Sequence, residues 1–230
     1  MKVYDISPVL TARTAVWPGD TPLAREVLCD LARGDSVTLS TLRSTVHLGA
    51  HADGPNHYAL DASGGAVGAP GIGERSLEYY LGACQVVSAR VGRGERVRPE
   101  HLLGALGTIA QRRVLVRTDT FRDPTSFNED FAALSVELVD ELARRGVVTI
   151  GIDTPSVDLF ASKTLEAHRA MHAHDMAILE GLVLGDVPPG TYELIALPLR
   201  LLGFDASPVR AVLRDVPGGP PAGIAVGSGA

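Results

Sequence analysis

Three imidazoles and one carboxylate fall within eleven residues, at His47, His51, Asp53 and His57. The spacings are four, two and four, all even, so an extended backbone would send the four side chains to one side of the chain. On a helix they would scatter around the 3.6-residue period. Gly49, Gly54 and Pro55 also disfavour a helix and suit a tight strand end. Neutral imidazole nitrogens and a carboxylate on one face form a ligand set for a borderline divalent ion such as zinc. Histidines on a surface loop, or separately satisfied in a core, are the plainer alternative. Four such groups on one face would then each need a polar partner of their own.

The second half of the chain holds complementary groups. His168, His172 and His174 lie in one short segment, and His168 and His172, four apart, would share a helix face. Only one of them is needed as a ligand. Glu180 stands in the apolar run 177–184, where an unpaired carboxylate is costly to bury. A metal ion is a sufficient partner for it; pairing with an arginine, or a place at a strand edge, is the alternative. A metal-bound water, its pKa lowered towards about 7, attacks carbonyl carbon, which points to hydrolysis of an amide or ester. An amide's leaving amine needs a proton, and His57, set off from the others by Gly54 and Pro55, is the best placed general acid/base. A role for His57 as a further ligand stays open on spacing alone.

These groups must hang from regular elements. Residues 2–6, 26–29 and 37–45 carry short β-favouring patterns, and the third feeds into the histidine run. Further strands are expected at 85–91, 114–117, 147–152, 177–184 and 193–197. Helices are expected at 99–112, with Pro99 in the first turn, at 135–145, with Ser135 as cap and Gly146 as stop, and at 165–176. Strands with so few helices indicate an α/β domain with a mixed sheet. Residues 62–73 read as a Gly/Ala-rich loop close to the site. The organisation expected is one domain over residues 1–216 and a disordered Gly/Pro-rich tail over 217–230.

Composition narrows the function class. A formal charge of −6 with no basic stripe argues against a nucleic-acid partner. No segment has the length of an apolar membrane span, and the N-terminus lacks a signal-peptide core, which makes a cytoplasmic location the default. Two distant cysteines, Cys29 and Cys84, read as small buried hydrophobes and exclude a disulfide framework. A small-molecule substrate is the partner this leaves.

The run His47-Leu-Gly-Ala-His51-Ala-Asp53-Gly-Pro-Asn-His57 resembles the HxGTHxDxPxH motif of the metal-dependent cyclase family. It is most similar to the bacterial kynurenine formamidase branch, where alanine is usual at the position of Ala50. Trp17-Pro-Gly-Asp20-Thr-Pro22, Gly151-Ile-Asp153-Thr-Pro155-Ser-Val-Asp158, Ala167-His168, Ala177-Ile-Leu-Glu180-Gly-Leu-Val, Tyr192-Glu-Leu-Ile-Ala-Leu-Pro198 and Ala206-Ser-Pro-Val-Arg210-Ala-Val-Leu-Arg214 resemble further blocks of that branch in the same order. The span between His57 and His168, with Gly92 and Gly94 around Arg93, looks longer than usual for it. The resemblance implies a swivelling β/β/α fold and selects His168 over its two neighbours. With His47, His51, Asp53 and Glu180 it makes five ligands, more than one tetrahedral ion with an open position requires, so two ions on the order of 3.5–4 Å apart are expected. The resemblance further implies zinc, bridging by Asp53 and Glu180, proton transfer by His57, and stacking of Trp17 on an aminobenzoyl ring. It also implies a homodimer in which an N-terminal segment completes the partner's pocket. The activity implied is hydrolysis of N-formyl-L-kynurenine to L-kynurenine and formate in tryptophan breakdown. A ring-opening hydrolase of the isatin hydrolase kind and a non-catalytic metal-binding protein are the alternatives, and a positioned acid/base at His57 speaks against the latter.

Overall fold

The computed structural model describes residues 1–60, 67–102 and 104–215. The strands are β1 (Val3–Asp5), β2 (Ala24–Cys29), β3 (Leu39–Arg43), β4 (His51–Asp53), β5 (Leu81–Ser88), β6 (Arg96–Val97), β7 (Arg113–Arg117), β8 (Ala133–Leu134), β9 (Thr149–Ile152), β10 (Ala177–Glu180), β11 (Gly190–Ile195), β12 (Ala206–Pro208) and β13 (Val212–Asp215). Two α-helices, α1 (Val136–Arg144) and α2 (Glu166–Ala173), stand among the described residues. Nine strands form one mixed sheet in the order β1-β13-β11-β5-β7-β9-β10-β4-β12. Its centre is parallel, β5 with β7, β7 with β9 and β9 with β10, and its flanks are antiparallel. The architecture is the expected α/β domain with a mixed sheet and few helices.

Alternation along the strands divides the core in two. Val114, Val116, Ile150, Ile152 and Ile178 face one apolar cluster, which α1 and α2 cover with Leu138, Leu142, Ala167 and Met171. Their neighbours Leu115, Ala177 and Leu179 face the other, as a two-residue period requires. That second cluster takes Tyr192 and Leu194 from β11 and Leu213 from β13 at one end, and Ala52 from β4 near the other. The sheet therefore curls around it.

Ser135 caps α1 as expected, its hydroxyl accepting from Leu138 N–H. The helix expected over 99–112 is instead two single 3-10 turns, Pro99–Leu102 and Ala105–Thr108. Gly104 adopts φ +80 between them, a left-handed residue that ends a helix rather than continuing it. The strand expected over 177–184 stops at Glu180, because Gly181 turns left-handed at φ +64. β12 and β13, which carry no long apolar run, are supplied by tertiary pairing. Cys84 is buried in the core, whereas Cys29 is only half-buried on the β2–β3 hairpin. The 217–230 tail and residues 62–66 of the loop before Gly73 lie outside the described residues. No helix among the described residues is long and apolar enough to cross a membrane.

Two glycines lock the ends of the strands that carry the site. A Cβ on Gly181 would strike the carbonyl oxygen of Gly49, while one on Gly34, also left-handed at φ +88, would meet open space. Gly34→Ala should therefore cost only the backbone term, about 1–2 kcal/mol. Gly181→Ala should cost clearly more, roughly 2–4 kcal/mol, because backbone must move. Urea unfolding of the two variants checks this, and equal losses would show that the close approach to Gly49 does not constrain the fold.

Candidate metal centre

Pairing of β4 with β10 sets Glu180 opposite His51 and Ile178 opposite Asp53. Directly opposed residues share a face of the sheet, and His51 and Asp53, two apart, share it as well. His168 comes from α2, which packs on β10 and buries the ring. His47 sits in the loop before β4, where Gly49 turns the chain at φ +59. His57 closes the 3-10 turn Pro55–His57. The continuous extended run expected over 47–57 is thus confined to His51–Asp53, because Gly49 and Pro55 bend the backbone on either side. All six side chains nevertheless converge. Asp53 Oδ1 lies 3.2 Å from His47 Nδ1 and 3.5 Å from His51 Nε2, and its Oδ2 lies 3.5 Å from His168 Nε2. Glu180 Oε2 is 3.2 Å from His51 Nε2 and Oε1 is 3.5 Å from His168 Nε2. The His57 ring is centred 4.4 Å from that of His47.

Each of the candidate ligand imidazoles His47, His51 and His168 is held from behind by an oxygen. His51 Nδ1 pairs with the Gly49 carbonyl, His168 Nδ1 with Asp158 Oδ2 and His47 Nε2 with Asp205 Oδ2, all at 2.9 Å. Donating one N–H outward turns the other nitrogen of every ring toward Asp53, the device that orients metal-binding histidines. Asp158 also accepts the N–H groups of Ala167 and His168 in the first turn of α2 and a bond from Arg96. Glu180 Oε1 accepts from Val157 N–H at 2.7 Å. Asp158 and Asp205 were not among the residues singled out in the sequence. The former ends the Gly151–Asp158 block, and its short spacing to His168 was the available signal. Nothing in spacing connects residue 205 to residue 47. Arg96 gives the 90–111 stretch a role, anchoring the carboxylate that orients His168. His172 lies beside Tyr58 and His174 pairs with Asp140 at the surface, so neither joins the cluster.

Three of the inward atoms are unpartnered. His51 Nε2 and both oxygens of Asp53 are buried with no hydrogen-bond partner, although their neighbours stand at ion-pair distance. Rings and carboxylates thus aim at common points between them rather than at one another. Orphaned carboxylate oxygens are expensive to bury, and convergent N and O donors of this type fit a divalent ion. Two chelating groups share Asp53, His47–His51–Asp53 and Asp53–His57–His168, and a third is His47–His57–Asp205. Burial disfavours charge on His47, yet Asp53 and Asp205 outweigh it and raise its pKa to about 9. His168 is likewise raised to about 10 against burial by Asp158, Asp53 and Glu180. The acids demand positive charge, which protons or a metal ion can provide. Burial instead draws His57 below the usual imidazole value, leaving it neutral near pH 7.

Beside the cluster opens a cavity of about 830 Å³ whose lining includes His47, His57, His168, Glu180 and Trp17. Trp17 is 37% exposed and packs against Phe127, Phe131 and Phe160 at ring separations of 5.6, 6.2 and 4.9 Å. It lines the cavity of its own chain.

Residues 4–159 match the family described as "Putative cyclase". The fold is similar to that of a predicted metal-dependent hydrolase from Bacillus stearothermophilus, at 25% identity and TM-score 0.72 over 92% of this chain and 97% of that one. It is also similar to isatin hydrolase A from Labrenzia aggregata, at 22% identity and TM-score 0.76 over 92% and 93% of the two chains. Isatin hydrolase A from Ralstonia solanacearum gives 22% identity and TM-score 0.75 over 92% and 91%. With a family match across most of its length and a buried cluster able to hold a metal, this chain belongs to the cyclase family of metal-dependent hydrolase fold.

Proposed function

We propose that the chain is an arylformamidase that hydrolyses N-formyl-L-kynurenine to L-kynurenine and formate, using two divalent ions, zinc by preference, held by His47, His51, Asp53, His168 and Glu180. The observation that carries this reading is the His57 imidazole, drawn below the usual imidazole value by burial and lining an aromatic-walled cavity beside the ligand cluster. A pure metal store needs neither. Nitrogen-rich donors suit zinc, and the membership of Asp53 in two chelating groups supports a bridging position.

Bound ions would supply an acidified water and polarise the amide carbonyl. The protein's own residues do the rest. Neutral at pH 7, His57 accepts a proton as water is deprotonated and returns it to the leaving aryl amine. Trp17, steadied by Phe127 and Phe160, offers a face for the aryl ring. Asp158 and Asp205 keep His168 and His47 turned inward. A ring-opening reaction on a cyclic aryl amide would use the same groups, and similarity of fold to isatin hydrolases favours it as the second reading. Relative turnover of formylkynurenine and isatin decides between them.

A cytoplasmic setting and a homodimer complete the proposal. Both cysteines are free thiols, as in reducing compartments. The β2–β3 hairpin exposes Leu28, Leu39 and Leu42, an apolar face suited to a second copy.

Three outcomes test the assignment. Asp53→Ala and Glu180→Ala, made separately, should each lose bound metal and activity together, followed by elemental analysis and rate; a variant with normal metal content removes that residue from the centre. His57→Ala should keep its metal and lose rate by about 10²–10⁴-fold, whereas loss of metal would make His57 a ligand. Trp17→Ala should weaken kcat/KM for formylkynurenine by roughly 1–2 kcal/mol and spare a small aliphatic formamide that cannot stack. Equal losses on both substrates would reduce Trp17 to a packing residue.

A further inference from the structure

The cavity wall beyond β7 carries charges that the hydrolytic chemistry does not use. Asp119, Phe121 and Arg122 line the same cavity as His57, His168 and Glu180. Asp119 is left-handed at φ +58, a conformation that costs a non-glycine residue about 1–2 kcal/mol. It is held there deliberately: Asp119 N–H donates to Asp153 Oδ2 at 2.9 Å, and Thr118 donates its N–H and hydroxyl to the same buried carboxylate. The Asp119 carboxylate is thereby set between two guanidinium groups, 3.6 Å from Arg117 Nε and 3.4 Å from Arg122 Nη2.

The two arginines differ. Arg117 is committed to the Val187 carbonyl and the Ser88 hydroxyl. Arg122 is 76% exposed at its side chain, and its single charge contact among the described residues is the loose one to Asp119. Asp20 and Asp186 line the cavity as well. A ligand bearing only a carboxylate would face these acids, and one bearing only an ammonium would face both arginines. A ligand bearing both charged groups on one carbon satisfies Arg122 and Asp119 at once. Arginine can take the carboxylate through two parallel N–H bonds, a stronger arrangement than an exposed pair with Asp119.

We propose that Arg122 and Asp119 form a subsite for an α-amino-acid zwitterion, Arg122 binding the carboxylate and Asp119 the ammonium, so that the cavity selects aryl amides carrying a free amino-acid arm over neutral ones. The inference rests on the aryl formamide reading above and adds the groups that read the far end of the substrate.

The test compares N-formyl-L-kynurenine with formanilide, which lacks the arm, using metal-loaded wild type, R122Q and D119N. Both variants should fold, since Arg122 is exposed and asparagine tolerates the left-handed region; circular dichroism verifies this. R122Q should lower the formylkynurenine-to-formanilide ratio of kcat/KM by about tenfold, through KM rather than kcat, and D119N by a smaller factor. Calorimetric binding of L-kynurenine should weaken in step in R122Q, with 2′-aminoacetophenone, its armless counterpart, little changed. A ratio within twofold of wild type in both variants, or equal losses on charged and neutral ligands, overturns the subsite. Wild type that cleaves formanilide as well as formylkynurenine also overturns it while leaving amide hydrolysis intact. Turnover of neither substrate rejects the proposed activity instead, and the two binding measurements then judge the subsite by themselves.

Discussion

Two carboxylates, Asp53 and Glu180, are buried side by side on adjacent strands, and the surrounding structure answers to their charge. Burying one unpaired carboxylate is already costly, and burying two within reach of the same imidazoles is tolerable only where positive charge is concentrated. Three histidines meet that demand, and their arrangement is specific. Each donates a proton outward, to the Gly49 carbonyl, Asp158 or Asp205, and turns its free nitrogen inward. Unpartnered atoms on His51 and Asp53 leave the cluster able to hold a divalent cation.

Rigid neighbours keep the charges where they are. β4 is only three residues long, yet it is paired on both sides, by β10 and β12, so His51 and Asp53 cannot shift register without breaking two ladders. The close approach of Gly181 to Gly49 brings the loop bearing His47 against the end of the strand bearing Glu180. One short loop after β9 serves two purposes. Asp153 at its start braces the left-handed Asp119 in the cavity wall, and Asp158 at its end orients His168. The candidate metal cluster and the cavity wall are thereby referred to the same piece of backbone.

Much of this was legible in the residues. The two-residue spacing of His51 and Asp53 announced a shared face, with His47 and His57 joining from a loop and a 3-10 turn, and Glu180 in an apolar run announced a carboxylate needing a partner. Ser135 and Gly146 bounded α1 because capping is local chemistry. Where a neighbour in space decided the outcome, local pattern failed. β12 and β13 exist because β4, β11 and β1 offer edges to pair with.

Residue types and spacing by themselves therefore picked out which side chains have the chemistry to ligate a metal, since that is a property of the residue and its short segment, while His168 was joined to the His47–His57 run only through the family resemblance. Tertiary structure alone decided which nitrogen of each ring faces inward and that burial draws His57 below the usual imidazole value beside two raised histidines. Hydrogen-bond partners, desolvation and neighbouring charge set these, and they come from residues up to 158 positions apart, a separation that no periodicity in the chain encodes.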